Sequence, residues 1–280
     1  MKKILCIIIV NIMTIFSISA EDNFYIIKLY GNINNNTNSE KLIQGGVINS
    51  SATLKVTDKK ASAVLVNEEG EIFMLKIPEQ LSYNENHEII VDFAKCITLI
   101  TGFEEEAKRG FKKVEIKKDI NDLKKYFGEN KFAVLGDTLS VKLDESVYPL
   151  NNDKFIVFYY KINNVQVSKK VGFENHYLKI EKSKLFSSNN QIQKGDILKS
   201  IFVYQYERST EKAELLTKIN LEFISTANLE KEFNVILKAV NKQNFEPINK
   251  KKLLINYFTD VYGVCCEKKI SEFINSIEIK

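Results

Sequence analysis

The chain has 280 residues, of which 40 are Lys or Arg and 36 are Asp or Glu, so its formal net charge at pH 7 is +4. A charge balance this close to neutral does not indicate a protein that binds nucleic acid. Apolar residues make up 44% of the sequence, which is enough to supply hydrophobic cores and excludes a disordered tail.

Residues 1–20 have the plan of a secretory signal peptide. Lys2 and Lys3 precede an apolar run from Ile4 to Phe16, and small residues follow as far as Ala20. A transmembrane anchor is less well supported, because the run is shorter than the roughly 20 apolar residues that span a bilayer. We expect cleavage after Ala20, export to the periplasm or the outer cell surface, and no transmembrane segment in the mature chain.

Residues 21–80 alternate between short apolar bursts and polar turns. The bursts are "FYIIKLYGNI", "ATLKV" and "SAVLVNEEGEIFMLKI", and "NNNTNSE", "QGG" and "EEG" punctuate them. This pattern predicts a small antiparallel β domain, with Gly45, Gly46 and Gly70 in turns.

The order of strand, polar hairpin, "LIQGGVI" and two strands flanking "EEGE" resembles the FecR-like β domains of bacterial envelope proteins. The resemblance implies a regulatory or scaffolding role in the envelope. It carries no functional residue over to this chain.

Residues 81–130 are predicted to hold a helix and a charged connection. The apolar positions of residues 88–100 follow the spacing of one helix face: Ile89, Phe93, Cys96, Ile97 and Ile100. Their β-branched side chains leave a strand open as an alternative. The run "EEEAKRGFKKVEIKKD" indicates a solvated connection, and "INDLKKYF" predicts a short helix that Gly128 ends.

Residues 131–225 predict a second all-β unit. Seven strand-like segments follow one another: "FAVLG", "TLSVKL", "FIVFYYKI", "VQVSKKV", "HYLKI", "ILKSIFVYQYE" and "LLTKINLEFI". Seven short strands in this length favour an immunoglobulin-like β-sandwich, although the antibody pattern of Cys, Trp and Cys is missing and related antiparallel folds remain open.

The segment "YFGENKFAVLGDTLSVKLDESVYPLNNDKFIVFYYKINN" resembles uncharacterised exported proteins of the Bacteroidota. That similarity extends over about residues 24–277. It implies an arrangement of domains and supplies no mechanism.

Residues 226–280 change to a helical period. Three apolar faces predict three short helices: Leu229, Phe233, Ile236, Leu237 and Val240; Leu254, Tyr257, Phe258 and Val261; Ile270, Phe273, Ile274 and Ile277. Pro247 suits the start of the second helix and Gly263 its end. These helices could cover the sandwich or offer a docking face.

The stretch "DVYGVCCEKK" contains adjacent cysteines. Cys266 continues the apolar stripe of the last helix, which is typical of a buried thiol. Cys265 lies off that stripe near the helix start, where exposed amides favour a thiolate, so it is the best redox candidate. A bridge between neighbours would be strained, because their Cα atoms lie about 3.8 Å apart, whereas a bridge from Cys96 to either one stays open.

Other chemistry has little support in the sequence. The only histidines, His87 and His176, lack CxxC or HxxxH spacing and a nucleophile motif, so we predict solvated turn histidines, no metal, no cofactor and no enzyme. Four tyrosines lie along predicted strands: Tyr159, Tyr160, Tyr204 and Tyr206. Alternate members could line a face that binds sugars or proteins, and core packing explains them equally well.

The leading hypothesis is an exported, non-enzymatic envelope protein that acts as a protein-interaction or scaffolding module. The first alternative is a carbohydrate-binding accessory protein that uses Tyr159 and Tyr204, and the second is a thiol-redox protein that uses Cys265. The expected partner is an envelope protein, or a glycan under the first alternative, and not nucleic acid.

Overall fold

The computed structural model describes residues 22–101, 119–129, 131–162, 164–186, 197–243 and 245–277. The predicted signal peptide and most of the charged connection lie outside the described residues. Within them the chain is mainly β, with several antiparallel sheets and short helices near the C-terminus, as the sequence predicted.

Residues 22–101, here called the N-terminal β unit, form two antiparallel sheets. Their strands are β1 Asn23–Tyr30, β2 Ile33–Asn35, β3 Glu40–Lys41, β4 Val47–Asn49, β5 Thr53–Val56, β6 Ser62–Val66, β7 Ile72–Lys76, β8 Ile89–Asp92 and β9 Ile97–Thr101. The strand orders are β4-β1-β6-β7-β9 and β3-β2-β5-β8. In the core that the sheets share, the Phe24 ring centroid lies 5.2 Å from that of Phe73 and 5.1 Å from that of Phe93.

Strand β1 is buried on both of its faces. Phe24 and Ile26 belong to the core between the two sheets, whereas Tyr25 and Ile27 belong to a second core on the opposite face. An uninterrupted apolar run such as "FYII" is typical of a strand that is covered on both sides. The five-stranded sheet is therefore the middle of three layers.

The prediction of a helix over residues 88–100 is wrong. The structure places β8 and β9 there, joined by one turn of 3₁₀ helix at Phe93–Lys95. Burial alternates along β8, since Ile89 is 1% exposed, Ile90 52% and Val91 8%. Pairing of these β-branched residues with β5 overrides the helical spacing of the apolar positions.

Residues 131–224, here called the sandwich, hold eight strands and a short helix. The strands are β10 Lys131–Leu135, β11 Thr138–Lys142, β12 Lys154–Ile162, β13 Val165–Lys170, β14 Gly172–Glu174, β15 Tyr177–Glu181, β16 Ile197–Glu207 and β17 Lys212–Ile224. The helices here are α1 Leu123–Phe127, which precedes the sandwich and ends at Gly128 as predicted, and α2 Lys182–Leu185.

The strand order of the sandwich matches an immunoglobulin-like fold. One sheet runs β13-β12-β16-β17-β10 and the other β11-β15-β14. Strands β11 to β17 thus take the positions B, C, C′, D, E, F and G, and β10 lies parallel to β17. All seven predicted strand segments are present. Only the three-residue strand β14 had no sequence signal.

The three predicted C-terminal helices are confirmed as α3 Thr226–Val240, α4 Pro247–Tyr262 and α5 Glu267–Ser276. Pro247 begins α4, and Gly263 ends it with φ of 88°. Between α4 and α5 lies a strand that the sequence did not reveal, β18 Val264–Cys265, which pairs in parallel with β10.

These helices cover the outer face of the five-stranded sheet. Their apolar faces share one core with Tyr25, Ile27 and Val64 of that sheet, and with Ala133 and Ile224 of the sandwich. The C-terminal segment is therefore the layer that joins the N-terminal β unit to the sandwich.

A buried polar cluster lies within this layer. Glu232 of α3 is 2% exposed and accepts hydrogen bonds from the hydroxyls of Tyr257 at 2.8 Å and Tyr262 at 2.6 Å. Lys28 of β1 lies with Nζ 3.6 Å from Glu232 Oε1 and donates to the Tyr262 hydroxyl at 2.7 Å. Burial, and then the Glu232 charge, raise the pKa of both tyrosines, so they stay protonated donors.

Removal of the Glu232 carboxylate should destabilise the protein strongly. Glu232→Ala removes the acceptor of two buried tyrosine hydroxyls and the ion-pair partner of Lys28, and we expect the free energy of unfolding to fall by roughly 3–5 kcal/mol. The matched control is Glu230→Ala on the exposed side of α3, with a change within about 0.5 kcal/mol. Equal effects of the two changes in chemical denaturation would show that the cluster contributes nothing.

Gly263 should resist substitution for two separate reasons. A Cβ there would meet the Lys131 carbonyl oxygen at 2.7 Å, and its φ lies in the left-handed region. Gly136 has φ of 77° and nothing within 4 Å of such a Cβ, so it isolates the backbone contribution. We expect Gly136→Ala to lower the free energy of unfolding by about 1 kcal/mol and Gly263→Ala by about 3 kcal/mol. Equal losses would refute the close approach of β18 to β10.

Candidate binding face of the sandwich

Successive side chains of β12 and β16 point to opposite sides of the larger sandwich sheet. Its inner side is apolar and its outer side is aromatic. Ile156, Phe158 and Tyr160 are buried in the sandwich core. The residues between them point the other way. We call this outer set the aromatic face: Phe155, Val157, Tyr159, Phe202, Tyr204 and Tyr206.

The strand register brings the aromatic side chains together across β12 and β16. Phe155 is opposite Tyr206, with ring centroids 5.3 Å apart, and Val157 is opposite Tyr204. The rings of Tyr159 and Tyr204 lie 6.5 Å apart at 87°. The structure therefore places the two predicted candidates Tyr159 and Tyr204 side by side.

The other two tyrosines named from the sequence, Tyr160 and Tyr206, point to opposite sides of the sheet. Tyr206 belongs to the aromatic face, whereas Tyr160 is 1% exposed and its hydroxyl donates to the Leu185 carbonyl at 2.7 Å. Burial raises the pKa of Tyr160 to about 12. Phe155 and Phe202 escaped sequence analysis, although their spacing of an even number of residues from Tyr159 and Tyr204 was available as a signal.

The C-terminal segment covers only part of this outer side. Toward β10, Ala133 and Ile224 point outward and are 1% and 5% exposed, because α3 to α5 pack over them. Lys131 and Glu222 form an ion pair at 2.5 Å in the same region. Toward β12 and β16, the described residues place no helix over the rings, which remain half-buried except for Phe155.

Phe155, the most enclosed ring of the face, is covered by cations. Lys170 Nζ lies 4.1 Å from its ring centroid, and Arg208 Cζ lies 5.8 Å from it. Lys218 Nζ lies 5.5 Å from the ring centroid of Phe202. Such cations are attracted by the ring quadrupole, which holds them at the surface of the face.

The aromatic face continues into a cleft of about 510 Å³ beside α1. Leu215, which is opposite Tyr204 and 52% exposed, and Lys218, which is opposite Phe202, line the cleft and adjoin the face. The floor of the cleft contains Ser200, whose φ is 56° and whose N–H donates to Asn220 Oδ1 at 2.8 Å. The register of β16 against β17 shifts between Leu198 and Ile201, so Ser200 lies in a β-bulge beside the cleft.

The cysteines occupy other positions than the sequence suggested. Cys265 lies in β18 and packs against the helical core, whereas Cys266 is the N-cap residue of α5. The expected placements of the two side chains are thus exchanged, because the chain is extended through Cys265 and α5 begins only at Glu267, whereas the redox role predicted for Cys265 stays a prediction. The three cysteines of the described residues are Cys96, Cys265 and Cys266, and none of them forms a disulfide there.

The two histidines both lie in turns, as predicted, with φ of 57° at His87 and 63° at His176. His176 is not simply solvated, because its Nδ1 is buried and its Nε2 lies 3.3 Å from Glu145 Oε2. Among the described residues, no three His, Cys, Asp or Glu side chains are placed to hold a metal ion. Within the same ranges, no helix has the length and apolar character needed to cross a membrane.

A scan against protein-family models finds no match to this chain, and neither does a search of the curated proteins. The resemblance to FecR-like domains and to exported proteins of the Bacteroidota therefore stays a prediction.

Thiol reactivity should separate Cys96 from the C-terminal pair. Burial raises the pKa of Cys96 to about 11, so almost no thiolate exists there at pH 7.5. In the native protein we expect iodoacetamide to modify Cys265 and Cys266, which are half-buried, well before Cys96. Equally fast labelling of Cys96, with mass spectrometry of the digested protein as readout, would contradict its placement in the core.

Proposed function

We propose that the protein is an exported, non-enzymatic envelope protein that binds another protein through the aromatic face. The single observation that carries this proposal is the row of aromatic rings on the half of the outer side of the sandwich sheet over which the described residues place no helix. The outer side of an antiparallel sheet is normally polar when it faces water.

The composition of the face supports a protein partner. Protein interfaces are enriched in Tyr, Phe and Arg at their centres, and contiguous exposed apolar patches mark interaction sites. Here Phe202, Tyr204 and Leu215 form one continuous apolar surface across β16 and β17. The rings carry few rotatable bonds, so their ordering on binding costs little entropy.

Export rests on the sequence of residues 1–20, whose basic start, apolar run and small residues fit a cleaved signal peptide. The resemblance of the N-terminal β unit to FecR-like domains agrees with an envelope location. Together these features favour an envelope protein as the partner.

Carbohydrate binding is the second candidate, and the neighbouring rings of Tyr159 and Tyr204 favour it. Stacking on a sugar needs a flat, open ring face, whereas these two rings meet edge to face at 87°. The protein partner is therefore the better supported of the two. A thiol-redox role for Cys265 requires its thiol to be oxidised more readily than an ordinary thiol, and resistance of Cys265 to oxidation would contradict that role.

Partner recovery from cells should depend on the aromatic face. We expect Tyr159→Ser combined with Tyr204→Ser to abolish co-purification of the partner after cross-linking in the native cell, with the thermal midpoint shifted by only a few degrees. The matched control is Tyr83→Ser combined with Tyr177→Ser, two rings that are 43% and 40% exposed elsewhere.

Recovery of the same partner by both double variants would contradict the proposal. A glycan array separates the second candidate. Glycan binding by the unchanged protein that disappears in the Tyr159 and Tyr204 variant would replace a protein partner with a sugar.

A further inference from the structure

The aromatic face is bordered by cations that form no ion pair with any carboxylate of the described residues. Lys161, Lys170, Arg208 and Lys218 are all exposed, and in the described part of the chain none of them forms an ion pair. The outward positions of β12, β13 and β16 hold no acidic side chain. Lys218 flanks the face from β17 and Lys170 from β13, while Arg208 reaches Phe155 from the turn that follows β16.

Most other lysines of the sandwich behave differently, although exposed Lys199 and Lys212 also form no ion pair within the described residues. Six other lysines of the sandwich form ion pairs within the described residues: Lys131, Lys142, Lys154, Lys179, Lys182 and Lys184. One of these lysines, Lys154, directly precedes Phe155 on β12. It forms its ion pair with Glu207 of β16 at 2.8 Å, on the other side of the sheet from the Phe155 ring. Acidic residues are thus abundant near the sandwich and missing from this one surface.

The cations form two groups at the two ends of the face. Lys170 and Arg208 both lie over Phe155. Lys218 lies over Phe202, which is opposite Tyr159, and Lys161 follows Tyr159 by two positions on β12. Tyr159 follows Phe155 by four positions along β12. At about 3.3 Å per residue, the two groups of cations therefore lie about 13 Å apart.

We infer that the partner presents an acidic segment to this face, with apolar side chains against the rings and carboxylates at both cationic ends. This inference rests on the proposed function and names the chemistry of its partner. Complementary charge speeds encounter and excludes basic partners, because like charges brought together across an interface are repelled. Lys170 and Lys218 are already held over rings, so they lose little further freedom when a carboxylate arrives.

A protein segment fits this surface better than an acidic polysaccharide does. Cations already lie over the rings of Phe155 and Phe202, and Tyr159 and Tyr204 are perpendicular, so the face lacks the open, parallel rings on which sugars stack. A peptide can place aliphatic side chains between such rings, including in the adjoining cleft at Leu215.

The test is selection of a displayed library of random 12-residue peptides on the purified protein, with elution of the bound clones by excess soluble protein. We expect enrichment of sequences that combine Asp or Glu with apolar residues. The affinity of a synthetic winning peptide should fall roughly tenfold in Lys170→Glu and in Lys218→Glu, and it should fall on raising the salt concentration. Lys60→Glu, an exposed position in the N-terminal β unit, is the matched control and should leave the affinity unchanged.

Two further results separate the failure of this inference from that of the proposed function. Winning peptides without acidic residues, whose binding is lost in Tyr204→Ser and kept in Lys170→Glu, would overturn the acidic partner and leave the aromatic face as the binding site. If no selected peptide depends on Tyr204 for binding, or if the protein binds polygalacturonate in place of peptides, both the acidic partner and the proposed function are overturned.

Discussion

The packing of α3 on β1 is the contact on which the rest of the molecule depends. It turns the five-stranded sheet into the middle of three layers, with Tyr25 and Ile27 buried beneath the helices and Phe24 and Ile26 buried beneath the second sheet. Glu232 fixes the position of α3 on that sheet, because its carboxylate must meet two tyrosine hydroxyls of α4 and approach Lys28 of β1. A buried carboxylate tolerates few alternative placements, since each one would leave it without these partners.

The same C-terminal segment decides which part of the sandwich remains open. After α4, Gly263 lets the chain approach β10 closely, and β18 extends the sandwich sheet at that edge. The helices then cover Ala133 and Ile224, and among the described residues the core that they share with the sandwich sheet contains no residue of β12 or β16. The aromatic face is the remaining half of a surface whose other half is already buried, which explains why its residues resemble those of a protein interface.

Local signals predicted most elements. Short-range patterns predict the alternating strands of the sandwich. They also predict the short helix that Gly128 ends and the helix α4, which begins at Pro247 and ends at Gly263. At residues 89–101 the sequence favoured a helix over the strand that it left open, because β5 and β7 supply the hydrogen bonds of β8 and β9 from elsewhere in the chain. For the same reason β18 and the Glu232 cluster were invisible, as both join residues more than 100 positions apart. Tyr159 and Tyr204 were accessible as candidates, whereas the cations over the neighbouring rings became apparent only with the strand register.

Oxidative footprinting of the aromatic rings in the purified protein and in intact cells would test most directly whether this face is occupied by a partner. Hydroxyl radicals modify exposed Tyr and Phe side chains, and mass spectrometry reports the extent at each residue. If the aromatic face binds a partner, then Phe202, Tyr204 and Tyr206 will be modified less in cells than in the purified protein, while Tyr83 and Tyr177 will be modified equally in both. Equal modification of all five residues in the two settings would show that the face stays open in the cell and would contradict its role as the binding surface.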